Sequence, residues 1–257
     1  MLLTLNSYFS TPPVKIVSLV PSITELLFDL GLRNEVAGIT KFCVHPEEWF
    51  KTKTRVGGTK TVNIEIVEDL QPDLIIVNKE ENEKSQVEIL ARQFNIWLTD
   101  VKNLEDATNM IIDIGLLVGK YGNAKKLSNS ILTKFKLLKP LNPPIKTAYF
   151  IWRDPYIAAG GDTFISDIMT RCGCINNFKN LLRYPEVSPQ DFVDKDCKLI
   201  LLSSEPFPFN ENHIADVNQL FRGISVELVD GEMFSWYGSR LIKAVPYFEK
   251  VINQLSG

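Results

Sequence analysis

Short apolar runs alternate along this chain with longer stretches of helical periodicity, and this alternation constrains the fold more than any other feature. It is typical of parallel strands that are covered by helices. The predicted strands fall into two groups, which comprise residues 15–20, 36–40, 74–77 and 96–99, and then residues 147–151, 199–202 and 225–229. The sequence therefore predicts an α/β fold of two Rossmann-like lobes with mainly parallel sheets.

The first predicted strand leads into a helix through a capping signal. Ser22 and Glu25 have the spacing of a capping box, in which each side chain hydrogen-bonds to the backbone of the other residue. Apolar residues follow at helical spacing until Gly31, where glycine ends the helix. A strand, a loop and a helix are thus expected to open the first lobe.

The segment between the two groups predicts a long helix that joins the lobes. Apolar residues keep helical spacing over residues 107–118, and after a break at residues 121–122 a second helical stretch runs from Asn123 until the prolines that begin at Pro140. About 16 residues at ~1.5 Å each span roughly 25 Å, which is enough to connect two lobes. We expect a ligand cleft between the lobes. The predicted domains are an N-terminal lobe at residues 1–121, a linking helix at residues 122–140 and a C-terminal lobe at residues 141–257.

An internal repeat supports two similar lobes. Residues 62–80 align without a gap over residues 187–205, and each half predicts a capped helix, a turn and a buried strand. Identical residues coincide at Val62/Val187, Asp69/Asp194, Leu74/Leu199, Ile75/Ile200 and Glu80/Glu205. Helical and strand periods in register over this length favour duplication over chance. Each lobe then presents a glutamate where a strand leaves the sheet, at the edge where open parallel sheets bind ligands.

Composition excludes several classes of protein. With 257 residues, 45% of them hydrophobic, the chain has enough apolar surface to bury two cores, which argues against disorder. A formal net charge of −3 provides no cationic field for nucleic acid. No run of about 18 apolar residues predicts membrane insertion. The four cysteines are predicted to be free thiols, because their spacing does not suit a disulfide framework.

Aromatic side chains concentrate in the loops that follow three predicted strands of the second lobe. Trp152 and Arg153 follow one strand, Phe207 follows another, and Trp236 and Tyr237 follow the third. A ligand with flat apolar faces and polar edges needs aromatic walls and a few aimed polar groups. Any one of these rings could instead pack on the lobe beneath it. The three loops taken together predict a ligand wall.

A metal site is a further hypothesis for the same edges. Cys43 and His45 follow a predicted strand, and Glu80, Glu205 and Glu232 follow others. A thiol, an imidazole and carboxylates suit a transition metal such as zinc or ferrous iron. The alternative is that His45 has a structural role, which is the more common one for a lone histidine.

Two glycine pairs, Gly57-Gly58 and Gly160-Gly161, lie in predicted turns that precede a helix. Backbone amides in such turns can hold an anion. Neither pair has phosphate-loop spacing, so a requirement for positive φ is the favoured interpretation.

Four segments together resemble a known family. They are residues 15–25 (KIVSLVPSITE), residues 69–76 (DLQPDLII), residues 160–167 (GGDTFISD) with Cys172-Gly173, and Val187-Ser188. In this order they resemble the helical-backbone substrate-binding proteins of ABC importers, and most nearly the cobalamin-binding branch. Relatives of that branch carry siderophores, haem or metal ions. The resemblance implies two lobes joined by one long helix, a shallow cleft and a small hinge motion.

The resemblance also implies roles for particular residues. Phe164 and Glu232 fall where the cobalamin-binding branch contacts its ligand, whereas Trp236 stands where that branch can carry an arginine. In the exported family one glutamate on each lobe docks onto arginines of the permease. Glu65 matches the first of these glutamates, and the second lobe has Gln190 at that place with Asp191 beside it.

These observations predict a monomeric substrate-binding protein that needs no cofactor and is not an enzyme. Its expected ligand is a cobalamin-like corrinoid, a haem- or siderophore-type iron chelate, or a metal, and an ABC permease is a possible partner. The N-terminus lacks an export signal as written, which predicts an intracellular, cytoplasmic relative, or a periplasmic protein if the true N-terminus is missing. The alternative function is a tetrapyrrole metal chelatase, in which His45 with Glu205 or Glu232 would deliver metal and remove protons.

Overall fold

The structure is a computed structural model that describes residues 11–193 and 196–256. Asp194 of the predicted repeat lies outside the described residues, as does the N-terminal segment 1–10. The strands are β1 (Ile16–Ser18), β2 (Val36–Ile39), β3 (Thr54–Arg55), β4 (Leu74–Asn78), β5 (Ile96–Thr99), β6 (Ile145–Trp152), β7 (Ile157–Ala158), β8 (Cys174–Asn176), β9 (Leu199–Ser203) and β10 (Ser225–Val229). The helices are α1 (Pro21–Asp29), α2 (Glu47–Thr52), α3 (Ile64–Leu70), α4 (Lys84–Leu90), α5 (Leu104–Leu117), α6 (Tyr121–Leu137), α7 (Phe164–Arg171), α8 (Glu211–Leu220), α9 (Gly231–Ser235) and α10 (Leu241–Ser256).

The chain divides into two compact units. The first unit comprises the chain to Val101 with Glu105–Leu132 and Tyr237–Arg240, and the second comprises Lys102–Leu104, Thr133–Trp236 and the chain from Leu241. Helix α6 contributes to both units. The lobe boundaries predicted at residues 121 and 141, and the predicted ligand cleft, stay predictions.

The sheet of the first unit is parallel throughout. Its strand order is β3-β2-β1-β4-β5, and Ile16 of β1 lies opposite Val36 on one side and Leu74 on the other. Every residue of β4 is buried, as expected for a strand that is covered on both faces.

The sheet of the second unit has one antiparallel strand at its edge. Its order is β10-β9-β6. On the side away from β9, the first residues of β6 pair in parallel with β8, and the last residues of β6 pair antiparallel with β7. Two mainly parallel sheets confirm the predicted α/β class.

All of the predicted strands are present, and the strands that the sequence did not predict are short. β3, β7 and β8 have two or three residues each, too few to show a period of two. Within the described residues no helix is long and apolar enough to span a bilayer.

The predicted repeat agrees with the strand order. β2-β1-β4-β5 in the first unit and β8-β6-β9-β10 in the second are parallel and follow the same sequence of neighbours. The two halves differ in their helices, however. The first half forms α3, whereas the second forms only a 3-10 turn at Pro189–Phe192, whose capping box joins Ser188 and Asp191.

The capping box predicted at Ser22 and Glu25 is wrong. Helix α1 begins two residues earlier than that box requires, at Pro21, and its N-cap is Val20, which has no side-chain cap. Ser22 Oγ is buried without a hydrogen-bond partner. Glu25 is also buried, and its carboxylate instead pairs with the Arg240 guanidinium through Nε at 2.8 Å and Nη2 at 3.1 Å.

The break between the two central helices lies slightly before the predicted position. α5 ends at Leu117 and α6 begins at Tyr121, so residues 121–122 open the second helix. Gly119, between them, has a φ of +69°, a conformation that favours glycine and ends helices.

Each unit has its own apolar core. In the first unit it is mainly aliphatic and includes Val17, Ile75 and Ile96. In the second unit it is rich in aromatic rings, and Phe150 packs edgewise on Phe192 and Phe221 beneath the end of β6. Interlocked rings of this kind hold the overlying loops in place.

Removing the guanidinium of Arg240 should strongly destabilise the protein. Arg240→Met leaves the Glu25 carboxylate buried without its cation, so we expect the free energy of unfolding in urea to fall by roughly 3–5 kcal/mol. Lys51→Met is the control, because it breaks an exposed pair with Glu47 and should cost at most ~0.5 kcal/mol. Equal losses in the two variants would contradict a specific role for the buried pair.

Candidate functional site

Each unit has a switch in strand order at its central strand. β1 lies between β2 and β4, and β6 lies between β8 and β9, so successive connections run in opposite directions from each central strand. The crevice at the carboxyl ends of such strands is where open α/β sheets bind ligands. The loops that leave β4 and β9 at this edge carry Glu80 and Glu205, in the place that the repeat predicts.

In the second unit, helix α9 holds the Glu205 carboxylate. Glu205 Oε1 accepts hydrogen bonds from Ser235 Oγ at 2.7 Å and from Trp236 Nε1 at 2.8 Å. The close approach requires Gly231, because a Cβ there would lie 2.4 Å from Ser203 Oγ and 2.5 Å from Glu205 Cγ. One oxygen of the carboxylate is therefore fixed by two donors.

The surroundings of Glu205 favour its neutral form. Burial raises the pKa of the Glu205 carboxyl, the Ser235 and Trp236 hydrogen bonds lower it, and the nearby acids Glu232 and Asp230 raise it, with an upward shift overall. Within the described residues no cationic side chain forms an ion pair with Glu205. This edge of the second sheet is therefore acidic.

An aromatic ledge lies at the same edge. Trp152 at the end of β6 is 40% exposed and meets Phe207 edge to face, with ring centroids 5.8 Å apart. Phe207 is half-buried on the aromatic core and also contacts Phe209, with centroids 4.7 Å apart. Arg153, beside Trp152, forms ion pairs with Asp154 and Asp216. The predicted ligand residues Trp152, Arg153 and Phe207 thus lie in one unit, with an exposed ring supported from below.

Trp236 and Tyr237 differ from the exposed wall that the sequence predicts. Both are buried, with 8% and 7% of their surface exposed. The Trp236 indole N–H donates to Glu205 in the second unit, whereas the Tyr237 hydroxyl donates to Glu81 Oε1 at 3.0 Å in the first. Both rings therefore position carboxylates, and ligand contact by either stays a prediction.

Phe164 and Glu232 lie on two helices of the second unit. Phe164 is buried in the first turn of α7, and Glu232 is partly buried in the first turn of α9, close enough to act electrostatically on Glu205. Of the two, Glu232 is the side chain that a bound molecule could reach.

The structure gives no support to the predicted metal site. Among the described residues there is no group of three or more His, Cys, Asp and Glu side chains placed to hold a metal ion, and the set of Cys43, His45, Glu80 and Glu205 is not such a group. Cys43 is fully buried, and its sulfur lies 3.1 Å from Thr24 Oγ1 and 3.2 Å from Thr40 Oγ1. Burial raises the pKa of this thiol, which disfavours the thiolate that a metal requires.

The glycine pairs serve the backbone rather than an anion. Gly57 has a φ of +98°, as the sequence predicts, but Gly160 and Gly161 do not have positive φ. Their amides donate to the Arg183 and Leu181 carbonyls, so these donors are occupied. The reason for glycine is close approach, since a Cβ on Gly161 would lie within 1.9 Å of the Lys179 carbonyl oxygen.

The two residues predicted to dock on a permease are exposed. Glu65 lies in the first turn of α3, which Asn63 caps. Asp191 lies in the 3-10 turn, where its Oδ2 accepts hydrogen bonds from Ser188 N and Ser188 Oγ, both at 2.8 Å. Part of the Asp191 carboxylate is therefore used to cap its own turn.

An open cavity of about 470 Å³ lies at the opposite edge of the second sheet, at the amino ends of its strands. Its lining includes Lys146, Asp196, Lys198 and Leu255 and none of the predicted site residues. We place the candidate site at the carboxyl edge instead, because ligands of open parallel sheets bind there.

Two further residues take part in the hydrogen bonds around these carboxylates, and only the first was missed from the sequence. Ser235 donates to Glu205, and Glu81 accepts from Tyr237. Ser235 lies four residues after Gly231 on α9, so the two residues share one face of the helix. This spacing is the signal that could have placed Ser235 beside the loop that carries Glu205. Glu81 lies in the charged run at residues 79–84, for which the sequence allows two interpretations: a solvated helix start, or a start at which Glu80 and Glu81 face the cleft.

Comparison with known proteins identifies the family. The profile described as "Periplasmic binding protein" matches residues 16–219, which include the first sheet and every strand of the second sheet except β10. The chain belongs to this family. The vitamin B12-binding protein of Vibrio cholerae is 25% identical over 197 residues, which cover 75% of this chain and 71% of that protein.

Solved structures of other binding proteins share the fold. The periplasmic vitamin B12-binding protein of Vibrio cholerae has a TM-score of 0.75 at 22% identity and covers 95% of this chain and 99% of its own. The periplasmic heme-binding protein of Roseiflexus sp. RS-1 has a TM-score of 0.81 at 17% identity and covers 96% and 100%. This protein therefore has the fold of two-lobed substrate-binding proteins. The relatives named here are binding proteins rather than enzymes.

Substituting Gly161 should test the close packing of its turn in this binding protein. Gly161→Ala places a methyl group against the Lys179 carbonyl, and we expect a loss of roughly 1–3 kcal/mol in the free energy of unfolding. Gly122→Ala is the matched control, because nothing lies within 4 Å of a Cβ there and alanine favours helix α6 by up to ~1 kcal/mol. Similar stability of Gly161→Ala and the native protein, measured by urea unfolding, would show that the turn adjusts freely.

Proposed function

We propose that this protein binds a compact ligand with apolar faces and polar edges at the carboxyl edge of the second unit's sheet. The ligand class is a cobalamin-like corrinoid or a haem- or siderophore-type iron chelate. The family match supports a binding role, and the relatives described above bind vitamin B12 and heme. A bare metal ion receives less support, because the described residues contain no cluster of metal-ligating side chains.

The observation that carries this proposal is the ledge beside the carboxylate. Trp152 presents an exposed aromatic surface, Phe207 supports it from below, and Glu205 supplies a polar group at the same sheet edge. Flat conjugated ligands pack on such rings and are oriented by a few polar groups at their edges. The aromatic core beneath keeps the ledge rigid, which lowers the entropy cost of binding.

We also propose that the protein has no enzymatic activity. The chelatase alternative assigns His45 with Glu205 or Glu232 to catalysis, whereas the family match and the relatives described above support a binding role. In the second unit His213 Nδ1 accepts the Asn210 N–H at 3.0 Å, and its ring packs on Phe207 and Phe209. This ring nitrogen is therefore engaged in capping helix α8, so the second histidine of the chain has a structural role.

An ABC permease is the proposed partner of the monomer. Glu65 is exposed in α3, and Asp191 is exposed in the 3-10 turn of the second half, beside Gln190, which is the residue equivalent to Glu65; both could meet arginines of a permease. In that role the protein works in the periplasm, whereas an intracellular relative would store its ligand or pass it on. We expect Glu65→Lys to abolish co-purification with a permease from the native host, while Glu249→Lys on the exposed face of α10 retains it. Equal recovery of a permease with both variants would remove Glu65 from the interface.

The ligand class can be determined on protein purified from its own host. Native mass spectrometry gives the mass of a bound molecule, and absorbance reports a corrinoid or porphyrin chromophore. A protein with no bound small molecule, and no affinity for added cyanocobalamin, hemin or ferric hydroxamate, would contradict the proposed function.

Trp152→Ala should weaken ligand binding by roughly 1–3 kcal/mol, the usual range for an aromatic anchor. The affinity is measured by titration of the recovered ligand. Tyr121→Ala is the control, since Tyr121 is a similarly exposed ring, 45% against 40%, at the start of α6. An unchanged affinity in Trp152→Ala would remove the ledge from the site.

A further inference from the structure

Positive charge is concentrated in one stretch of the chain, which contains helix α6. Residues 114–153 include seven lysines and one arginine and no acidic residue. The whole chain has 28 basic and 31 acidic residues, so the other residues, with 20 basic and 31 acidic side chains, carry a net charge of −11. A chain that is acidic overall therefore has one strongly basic segment.

One side of helix α6 packs on the protein. Its buried residues recur at helical spacing and are Ala124, Ser128, Ile131 and Phe135. Ala124 lies against α5, where a Cβ on Gly115 would be 2.2 Å from the Ala124 Cβ. Phe135 packs on Phe248 of α10, with ring centroids 6.2 Å apart. These contacts determine which side of the helix is turned to solvent.

The solvent side of α6 combines lysines with exposed apolar side chains. At ~100° per residue, six residues fall within about half of the helix circumference, on the side away from the buried one. They form what we call the lysine face, which consists of Tyr121, Lys125, Lys126, Leu132, Lys136 and Leu137. Tyr121, Leu132 and Leu137 are 45%, 44% and 70% exposed. Cations beside exposed apolar side chains are typical of helices that lie on a membrane surface.

The protein does not neutralise the lysines of this face. Within the part of the chain that the structure describes, Lys126 and Lys136 form no ion pair. Lys125 contacts a ring rather than a carboxylate, since its Nζ lies 5.9 Å from the centroid of Tyr121. The lysine face therefore presents its positive charge to solvent.

We propose that the lysine face of α6 binds an anionic phospholipid surface, with the helix parallel to the bilayer. This role is independent of the proposed ligand, because no residue of the lysine face belongs to the candidate site. The 17 residues of α6 span about 25 Å, so this orientation brings every lysine of the face within roughly a Debye length of the headgroups. The tyrosine and the two leucines enter the interface, while the flexible lysines reach the phosphates.

The residue types favour lipid over an acidic protein as the partner. All the cations of α6 are lysines, and the helix contains no arginine, the residue that suits directed pairing with carboxylates. Interfaces between proteins are enriched in arginine and depleted in lysine. A lipid surface requires no fixed pairing geometry, and each lysine close to it strengthens binding about five-fold.

The test measures sedimentation of the full chain with phospholipid vesicles. One set is phosphatidylcholine alone, and the other contains equal parts of phosphatidylcholine and phosphatidylglycerol. We expect binding to the mixed vesicles only. The triple variant Lys125→Gln, Lys126→Gln and Lys136→Gln should lower the partition coefficient about a hundred-fold, at about five-fold per lysine. Raising salt from about 50 to about 500 mM should release the native protein.

Two matched variants separate this site from net charge and from folding. The first changes three exposed lysines that already pair with acids, and it should leave partitioning nearly unchanged; it combines Lys51→Gln, Lys84→Gln and Lys198→Gln. The second replaces the three lysines of the face by arginine, which keeps the charge and should keep the binding. Glutamine and arginine both favour helices, so α6 stays folded in each variant.

Three outcomes would overturn the inference. They are no sedimentation with either set of vesicles, equal sedimentation with both sets, and equal losses in the two glutamine variants. The lysine face would then serve an acidic protein partner or only the solvation of α6.

Discussion

The parallel pairing of each central strand with its following partner is the constraint on which the site depends. Ile16 lies opposite Leu74 in the first unit, and Thr147 lies opposite Leu199 in the second. Because Leu74 and Leu199 are equivalent in the repeat, this pairing brings the loops after β4 and β9 out at the same edge of their sheets. Because every residue of β4 and β9 is buried, a shift of one residue in either register would disrupt close packing on both faces, so packing of the core fixes where the glutamates emerge.

A short C-terminal segment supplies the donors that hold three glutamates. Arg240 pairs with Glu25, Tyr237 donates to Glu81, and Trp236 donates to Glu205. Buried or half-buried carboxylates are costly unless hydrogen-bonded, so each needs such a donor. The glycine at position 238 makes this compact spacing possible, because its φ of +144° is unfavourable for other residues and it lies close to the Ser22 carbonyl.

The sequence predicted the regular parts of the fold and which loops leave the strands at the candidate site, because strand and helix periodicity reflect local burial. It could not predict pairings between distant residues. Ser22 and Glu25 have the spacing of a capping box, yet Glu25 finds Arg240, which lies 215 residues away. Gly161 suggested a special φ and instead allows a close backbone contact with Lys179. Tertiary contacts decided these cases, and no local pattern carries that information.

Trp152 and Trp236 show why residue type alone does not define a ligand wall. Both follow strands of the second sheet, but the Trp236 indole N–H has a carboxylate acceptor within the protein, so its ring is drawn inward. Among the residues that the structure describes, the Trp152 ring at the end of β6 packs against Phe207, and 40% of Trp152 stays exposed. An indole ring is a wide apolar surface with a single hydrogen-bond donor, its N–H. The position of the acceptor for that N–H therefore decides which part of the ring stays exposed to solvent. We therefore propose Trp152, whose ring the protein supports but does not enclose, as the ligand-binding ring of the two.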